Sequence, residues 1–217
     1  MLAIALLLLL LSLAGFGGNR VWAQTGADHP ADQPLKIAAD VGFAPFAMRL
    51  PSGEVQGFSV DVGKEIAKRL GRPGAEIIDV NWSAIFAGLF AKRYEFIIAP
   101  TNITPERAER MLFTEGYMQT GLGFLTRKAV AAQYKGPEDL KGKTVTVNNG
   151  SVSDTWATEN AARYGFKIQR YDKNADAIQA VVTGRADVNI ADLPASQYAA
   201  TQQPLLKVAF PVYTGRN

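Results

Sequence analysis

Arg107 is the side chain in this sequence that is best placed to bind an anion. Residues 96–99 predict a short apolar strand, a polar turn follows, and Thr104 stands where it can cap a helix that begins at Pro105. Strand ends that lead into helix starts are where open α/β sheets collect anionic ligands, because free backbone N–H groups point outwards there. The guanidinium of Arg107 adds a fork of donors that matches a carboxylate. The alternative is that Arg107 lies on a solvated helix face.

A second strand end with a similar local pattern carries an acidic residue, Asp192. Residues 92–100 parallel residues 184–192, since each segment follows an apolar helix and its strand ends in a small residue. Two halves of like topology would place both strand ends on one cleft, although so short a match could also arise by chance. A cleft that removes water from charged groups must supply opposite charges, because an unpaired buried charge is costly. Arg107 and Asp192 could therefore hold an anionic group and a cationic group of one ligand.

The elements that must position these residues alternate between strands and helices. Apolar runs predict strands over residues 35–40, 75–80, 96–99, 121–127, 144–147, 167–171, 188–191 and 206–208, and helices over residues 60–70, 84–91, 154–164, 175–183 and 193–203. In the second helix, Ile85, Leu89 and Phe90 are expected to face inward. A small hairpin is expected around the turn at residues 51–53 and a short helix at residues 137–140. The alternation predicts an α/β fold with a parallel or mixed sheet and helices on both faces.

The sequence resembles the periplasmic solute-binding proteins of polar-amino-acid ABC transporters, family 3 of the extracellular solute-binding proteins. The matching stretches are Ile-Thr-Pro-Glu-Arg at 103–107, Asp-Val-Gly-Phe-Ala-Pro-Phe at 40–46, Gly-Phe-Ser-Val-Asp at 57–61 and Ala-Asp-Leu-Pro at 191–194. The likeness extends from about residue 35 to residue 208. It implies the type II periplasmic-binding fold, in which two three-layer α/β/α lobes are joined by a hinge and the ligand lies in the cleft between them.

The resemblance also implies the charged contacts of such a cleft. Arg107 would grip the α-carboxylate of the ligand, and Asp192 would hold its ammonium. Asp192 could also cap the helix that begins near Pro194, and the two roles can coexist. Asp40 matches an acidic position that meets a side-chain amine or amide in some members of the family, which favours a basic or amide-bearing ligand.

Aromatic and polar walls complete the implied site. Phe43 and Trp82 would pack on the side chain of the ligand, unless they are core residues. The remaining expected ligand-binding residues are Pro100, Asn102, Asn148, Ser151 and Val152. Three of these depart from the usual family residue: Pro100 replaces Gly or Ser, Asn102 replaces Thr or Ser, and Val152 replaces a residue whose hydroxyl often supports the carboxylate. Ser151 and Asn148 could compensate for the missing hydroxyl.

The chain is expected to divide into a signal peptide (1–23), a flexible tail (24–33), a first lobe (34–123), a hinge strand (124–129), a second lobe (130–208) and the start of a return crossover (209–217). Residues 1–14 are almost wholly apolar, and Val-Trp-Ala at 21–23 suits signal cleavage. The alternative for this stretch is a buried N-terminal helix. Because the family crosses back to the first lobe after the second, we expect the C-terminal return segment to be cut short at Asn217.

Composition excludes several kinds of catalytic site. His29 is the single His and there is no Cys, so a Ser-His-Asp or Cys-His arrangement, a zinc site with several imidazoles and a disulfide cannot be built. A net charge of +3 without a basic run does not indicate nucleic-acid binding. No acid/base pair stands out, and no catalytic residue, metal or cofactor is expected.

The sequence favours a periplasmic binding protein that is a monomer and not an enzyme. It would bind a polar amino acid, basic or amide-bearing, between its lobes and deliver it by hinge closure to the membrane permease subunits of an ABC transporter. Two alternatives stay open. One is an enzyme on the same scaffold that resembles cyclohexadienyl dehydratase, with Asp40 or Glu106 as general acid. The other is the sensor module of a signalling receptor.

Overall fold

A computed structural model of the protein describes residues 31–214. The predicted signal peptide at residues 1–23, most of the predicted tail and the last three residues lie outside this part. The strands are β1 (Leu35–Ala39), β2 (Met48–Arg49), β3 (Val55–Gln56), β4 (Ala75–Asp79), β5 (Phe96–Ile97), β6 (Leu122–Arg127), β7 (Thr144–Asn148), β8 (Lys167–Tyr171), β9 (Val188–Asp192) and β10 (Leu206–Val212). The α-helices are α1 (Phe58–Arg69), α2 (Trp82–Phe90), α3 (Pro105–Ala108), α4 (Val152–Tyr164), α5 (Asn174–Val182) and α6 (Leu193–Gln202). Two 3-10 helices span Lys128–Gln133 and Pro137–Leu140.

The first sheet consists of three parallel strands in the order β4-β1-β5. Successive side chains of a strand point to opposite faces, so the central strand β1 supplies two cores. Ile37 packs with Ala67 of α1 on one face, and Ala38 packs with Ile85 of α2 on the other. The β2–β3 hairpin is a separate antiparallel pair. This part of the molecule is therefore a three-layer α/β/α unit, as expected.

The second sheet has five strands in the order β10-β6-β9-β7-β8. β7 runs parallel to β8 and β9, whereas β6 runs antiparallel to β9 and β10. On one face, Phe124 stacks on Phe210 at 4.3 Å and meets Trp156 of α4 edge to face at 5.2 Å. On the other face, Leu125 packs with Val181 of α5. The second unit is thus also covered by helices on both faces.

The elements predicted from the sequence are present, and the differences lie mainly at their ends. Phe90 is a wrong inward assignment, since its side chain is 43% exposed and stacks under Arg110 at 4.8 Å. Helix α1 begins at Phe58 and not near Val60. The last strand continues to Val212, and the 3-10 helix at Lys128–Gln133 had no counterpart in the prediction. Residues 124–129 cover the end of β6 and the start of that 3-10 helix, and the lobe boundaries and hinge stay predictions.

Polar contacts join the two units where their strands end. The ammonium of Lys173, just before α5, lies 2.8 Å from Asp79 at the end of β4. The guanidinium of Arg107 donates to the carbonyl of Gly150 at 3.3 Å, in the turn between β7 and α4. The carboxyl ends of the two sheets therefore face each other across a narrow cleft. Within residues 31–214, no helix has both the length and the apolar character needed to cross a membrane.

Candidate functional site

A cavity between the two sheets brings together most of the residues that the sequence singles out. It has about 410 Å³ of empty space, including the part open to solvent. Nine of the ten predicted ligand-binding residues line it: Asp40, Phe43, Trp82, Pro100, Asn102, Asn148, Ser151, Val152 and Asp192. The wall also contains five residues that were not predicted, namely Ala99, Ser153, Asn174, Ile190 and Ala191.

Arg107, the tenth predicted residue, lies beside this cavity and is not part of its wall. The hydroxyl of Thr104 accepts from its backbone N–H at 3.3 Å, which is the predicted helix cap. Its guanidinium donates to the carbonyl of Asn102 at 3.0 Å and lies 5.5 Å from the Trp82 ring centroid. Burial lowers the pKa of Arg107, while the carboxylate of Asp192 opposes that shift. A guanidinium has five N–H donors, so donors remain for a ligand that enters next to it.

Asp192 supplies one partly buried carboxyl at the end of β9. It occupies the N-cap position of α6, but its side chain makes no capping hydrogen bond. Its Oδ1 is buried and lacks a hydrogen-bond partner among the described residues. Burial raises the pKa of Asp192 to about 6, against the opposing charge of Arg107. The side chain of Asp192 therefore does not cap α6, and its carboxyl can accept a hydrogen bond from a donor in the cavity.

Asp40 supplies a second buried carboxyl, after the end of β1. The residue is 1% exposed, and neither carboxyl oxygen has a partner in the described part of the chain. Burial raises the pKa of Asp40 to about 7; Lys173 opposes this rise, and Asp79 and Asp176 add to it. Lys173 directs its ammonium to Asp79 instead, at 2.8 Å. Asp40 is thus a buried carboxyl with no bonded donor in the described part of the chain.

The start of α4 forms a polar wall with backbone donors. The hydroxyl of Ser151 accepts from the N–H of Asp154 at 3.1 Å and caps the helix. The neighbouring residues Val152 and Ser153 line the cavity, and the first N–H groups of a helix have no partner within it. Asn148 is less free than expected, because its amide donates to the carbonyl of Tyr171 at 3.0 Å. This wall favours a carboxylate.

The aromatic walls serve the core and the cavity together. Trp82 is the first residue of α2, packs edge to face on Phe86 at 5.2 Å and belongs to the same core cluster as Ile85. Phe43 stacks on Phe46 at 5.7 Å. The core and ligand-wall alternatives for Phe43 and Trp82 are therefore not exclusive, since both rings also line the cavity. The buried Nε1–H of Trp82 has no acceptor among the described residues.

Asn174 is the polar residue of this wall that sequence reasoning missed. It is the first residue of α5, is 2% exposed, and its Oδ1 lacks a partner in the described region. The sequence did offer a signal for Asn174. Both Asn174 and Asp192 lie where a strand gives way to a helix, Asn174 shortly after β8 and Asp192 at the last residue of β9. An Asn at a helix start normally indicates a cap, and that interpretation hides a role in the cavity.

A second hollow adjoins the first and shares Pro100, Asn102 and Asp192 with it. It has about 530 Å³ of empty space, including the part open to solvent, and its other walls include Phe113 and Tyr117. Burial, together with the charge of Asp192, raises the pKa of Tyr117. Asp192 therefore borders both hollows.

Comparisons with known proteins give the family of this chain. The model of the bacterial extracellular solute-binding proteins, family 3, matches residues 35–143. The L-arginine-binding protein of Pseudomonas aeruginosa is 28% identical over 75% of this chain and 62% of its own length. A probable amino-acid ABC transporter-binding protein of Haemophilus influenzae is 33% identical over 81% of this chain and 67% of its own. The chain thus spans about two thirds, or less, of the length of these relatives.

A solved structure with the same architecture supports the fold. The holo structure of ArgBP from T. maritima is 32% identical, with a TM-score of 0.77 over 83% of this chain and 78% of its own. The fold is therefore the two-lobed type II arrangement that the sequence predicts. The matched family and the named relatives are binding proteins and not enzymes, which speaks against the dehydratase alternative. This chain belongs to the bacterial extracellular solute-binding proteins of family 3.

Proposed function

We propose that this protein binds a cationic L-amino acid in the cleft between its two sheets. The observation that carries the proposal is a pair of carboxyls that line one cavity: both oxygens of Asp40 and Oδ1 of Asp192 are buried and lack hydrogen-bonded donors among the described residues. A buried carboxylate without a donor is costly, and a ligand with two cationic groups would compensate both.

The charges of the cleft match the charges of such a ligand. The α-carboxylate would meet Arg107 and the N–H groups at the start of α4, beside Ser151 and Val152. The α-ammonium would meet Asp192, and a cationic side chain would reach Asp40 along the faces of Phe43 and Trp82. An aromatic face attracts a cation by about 0.5–2 kcal/mol, so these rings also favour a basic ligand.

The family and its relatives support a role in transport outside the cytoplasm. One relative is named an L-arginine-binding protein and another a probable amino-acid ABC transporter-binding protein. We propose that this protein, as a monomer in the periplasm, delivers its ligand to the permease subunits of an ABC transporter. A ligand that bridges Arg107 in the first unit and Asp192 in the second would favour the closed cleft, which the transporter could recognise.

A thermal-shift screen of the purified protein tests this proposal. L-arginine, L-lysine and L-ornithine should raise the unfolding midpoint with concentration, because a ligand that binds only the folded state stabilises it by about 2.7 kcal/mol at a hundred times its dissociation constant. L-glutamate should have no effect. A larger shift with L-glutamine than with any cationic amino acid would identify an amide-bearing ligand instead. A cooperative transition that no amino acid moves would reject the proposal.

A further inference from the structure

Asn174 has the properties of a ligand contact and lacks those of a structural residue. Its Oδ1 is buried with no donor among the described residues, although a buried amide oxygen normally has one. Its side chain does not cap α5, whose N-cap position is held by Lys173 without a side-chain hydrogen bond. Packing alone would be served by an apolar side chain of similar size. Oδ1 of Asn174 can therefore accept a hydrogen bond from a ligand inside the cavity.

The start of α5 lies close to Asp40, on the two sides of Gly42. A Cβ placed on Gly42 would lie 3.6 Å from Oδ1 of Asp40, 3.6 Å from Cβ of Ala175 and 3.7 Å from Cδ of Lys173. The residues on both sides of Asn174 thus approach the same point as the Asp40 carboxyl. Since Asn174 and Asp40 also line the same cavity, it contains three buried acceptor oxygens from two different units that lack donors among the described residues.

We propose that Asn174, together with Asp40, selects a guanidinium-bearing ligand over an ammonium-bearing one. This inference rests on the proposed function, because it assigns the side-chain end of the same ligand. The carboxylate of Asp40 matches two parallel N–H groups of a guanidinium. Asn174 then accepts a third N–H from another edge of the same plane.

The number and spread of donors distinguish the two kinds of ligand. A guanidinium presents five N–H donors on three nitrogens, so it reaches acceptors on both sides of the cleft at once. An ammonium donates from a single nitrogen, and every acceptor must then lie about 2.8–3.0 Å from that one point. Acceptors that belong to the end of β1 and to the start of α5 are better spanned by the wider group. Lys173 does not occupy them, since its ammonium is bonded to Asp79 at 2.8 Å.

Calorimetric titration of L-arginine and L-lysine into the wild type and Asn174→Ala tests the inference. In the wild type, L-arginine should bind more tightly. In Asn174→Ala, the affinity for L-arginine should fall about tenfold or more, as expected for a lost hydrogen bond to a charged group, while the affinity for L-lysine should stay within about threefold. Asn174→Leu, which keeps most of the side-chain volume, should behave in the same way and serves if the Ala variant unfolds.

Asn189→Ala is the matched control. Asn189 is also fully buried with a free Oδ1 among the described residues, but it does not line the cavity, so its substitution should leave the arginine-to-lysine ratio unchanged. Equal losses for both ligands in the Asn174 variants, or no loss, would overturn the inference while the proposed function stood. Failure of the wild type to bind either amino acid would overturn both.

Discussion

Substitution of Asp40 by Asn should stabilise the ligand-free protein at neutral pH and weaken its binding of a cationic ligand. Asp40 is 1% exposed, and its two carboxyl oxygens have no donor in the described part of the chain. Asn keeps the shape of the side chain and removes the charge. Asp40, which the proposed function needs for binding, thus lowers the stability of the ligand-free protein.

The magnitude follows from the pKa of Asp40, which burial raises from about 3.8 to about 7. An acid whose folded pKa lies above its unfolded pKa has no effect on stability below about pH 4, and it destabilises progressively as pH rises towards 7. Each pKa unit corresponds to about 1.4 kcal/mol, so the full penalty is about 4 kcal/mol. Between about pH 5 and about pH 7.5, the wild type should lose about 2.5 kcal/mol through this group.

Urea unfolding of the wild type and Asp40→Asn at these two pH values measures this loss. The stability difference between the two proteins should change by about 2.5 kcal/mol in favour of the variant as pH rises, with equal m-values. Asp32→Asn is the matched control, because Asp32 is exposed ahead of β1, and its difference from wild type should not change. A stability difference for Asp40→Asn that is independent of pH would refute the reasoning.

Three further changes test the other charges of the cleft. Arg107→Ala should weaken binding of L-arginine by about a hundredfold or more, because the carboxylate contact is lost. Arg110→Ala is the control, since Arg110 is exposed and its loss should not change the affinity. Calorimetry measures both affinities. Asp192→Asn should weaken binding at about pH 7.5 by a similar factor and raise ligand-free stability there, because burial raises the pKa of Asp192 to about 6. Lys173→Met breaks the ion pair with Asp79 and should weaken binding severalfold, and this difference from wild type should shrink as salt is added.

Each of these three predictions has an outcome that would contradict it. Binding by Arg107→Ala within a few-fold of wild type would remove the carboxylate role of Arg107. An ammonium contact requires that Asp192→Asn lose affinity for L-arginine but not for an analogue that lacks the α-amine. Equal losses for the two ligands would contradict that contact. Unchanged affinity in Lys173→Met at low salt would mean that the ion pair does not stabilise the ligand-bound cleft.

Arg107 and Asp192 could be predicted because local rules place them. A strand end, a helix cap and a charged residue lie close together in sequence at each position, and parallel strands bring their carboxyl ends to the same edge of a sheet. The strand β1 was also predicted, and in the structure its Ile37 and Ala38 face different helices, because successive side chains of a strand point to opposite faces. These features depend on short stretches of chain, which a sequence displays directly.

The features that could not be predicted depend on contacts between distant residues. Asn174 looks like an ordinary helix start, and only the approach of Asp40 from the other unit makes it part of the cavity. The helix predicted over residues 60–70 begins instead at Phe58, so Ser59 lies inside α1 and its hydroxyl is buried without a partner among the described residues. Phe90 fits the apolar face of α2, yet it stacks under Arg110 at the surface. Tertiary contacts decide each of these cases.

The polar atoms that lack partners also suggest why such a cleft would close only around its ligand. Of seven buried side-chain atoms without a partner in residues 31–214, five belong to Asp40, Trp82, Asn174 and Asp192, which all line the cavity. In a more open cleft, water would satisfy these atoms, but opening would break the contacts of Lys173 with Asp79 and of Arg107 with Gly150 that join the two units. In a closed and empty cleft they are unpaired, and each costs about 1–3 kcal/mol, more where it is charged. A ligand that supplies the matching donors and acceptor removes that cost in the closed state alone, and differential stabilisation of one state is what shifts a conformational equilibrium. The unpaired atoms would thus oppose closure without ligand and couple the chemistry of the ligand to the position of the lobes.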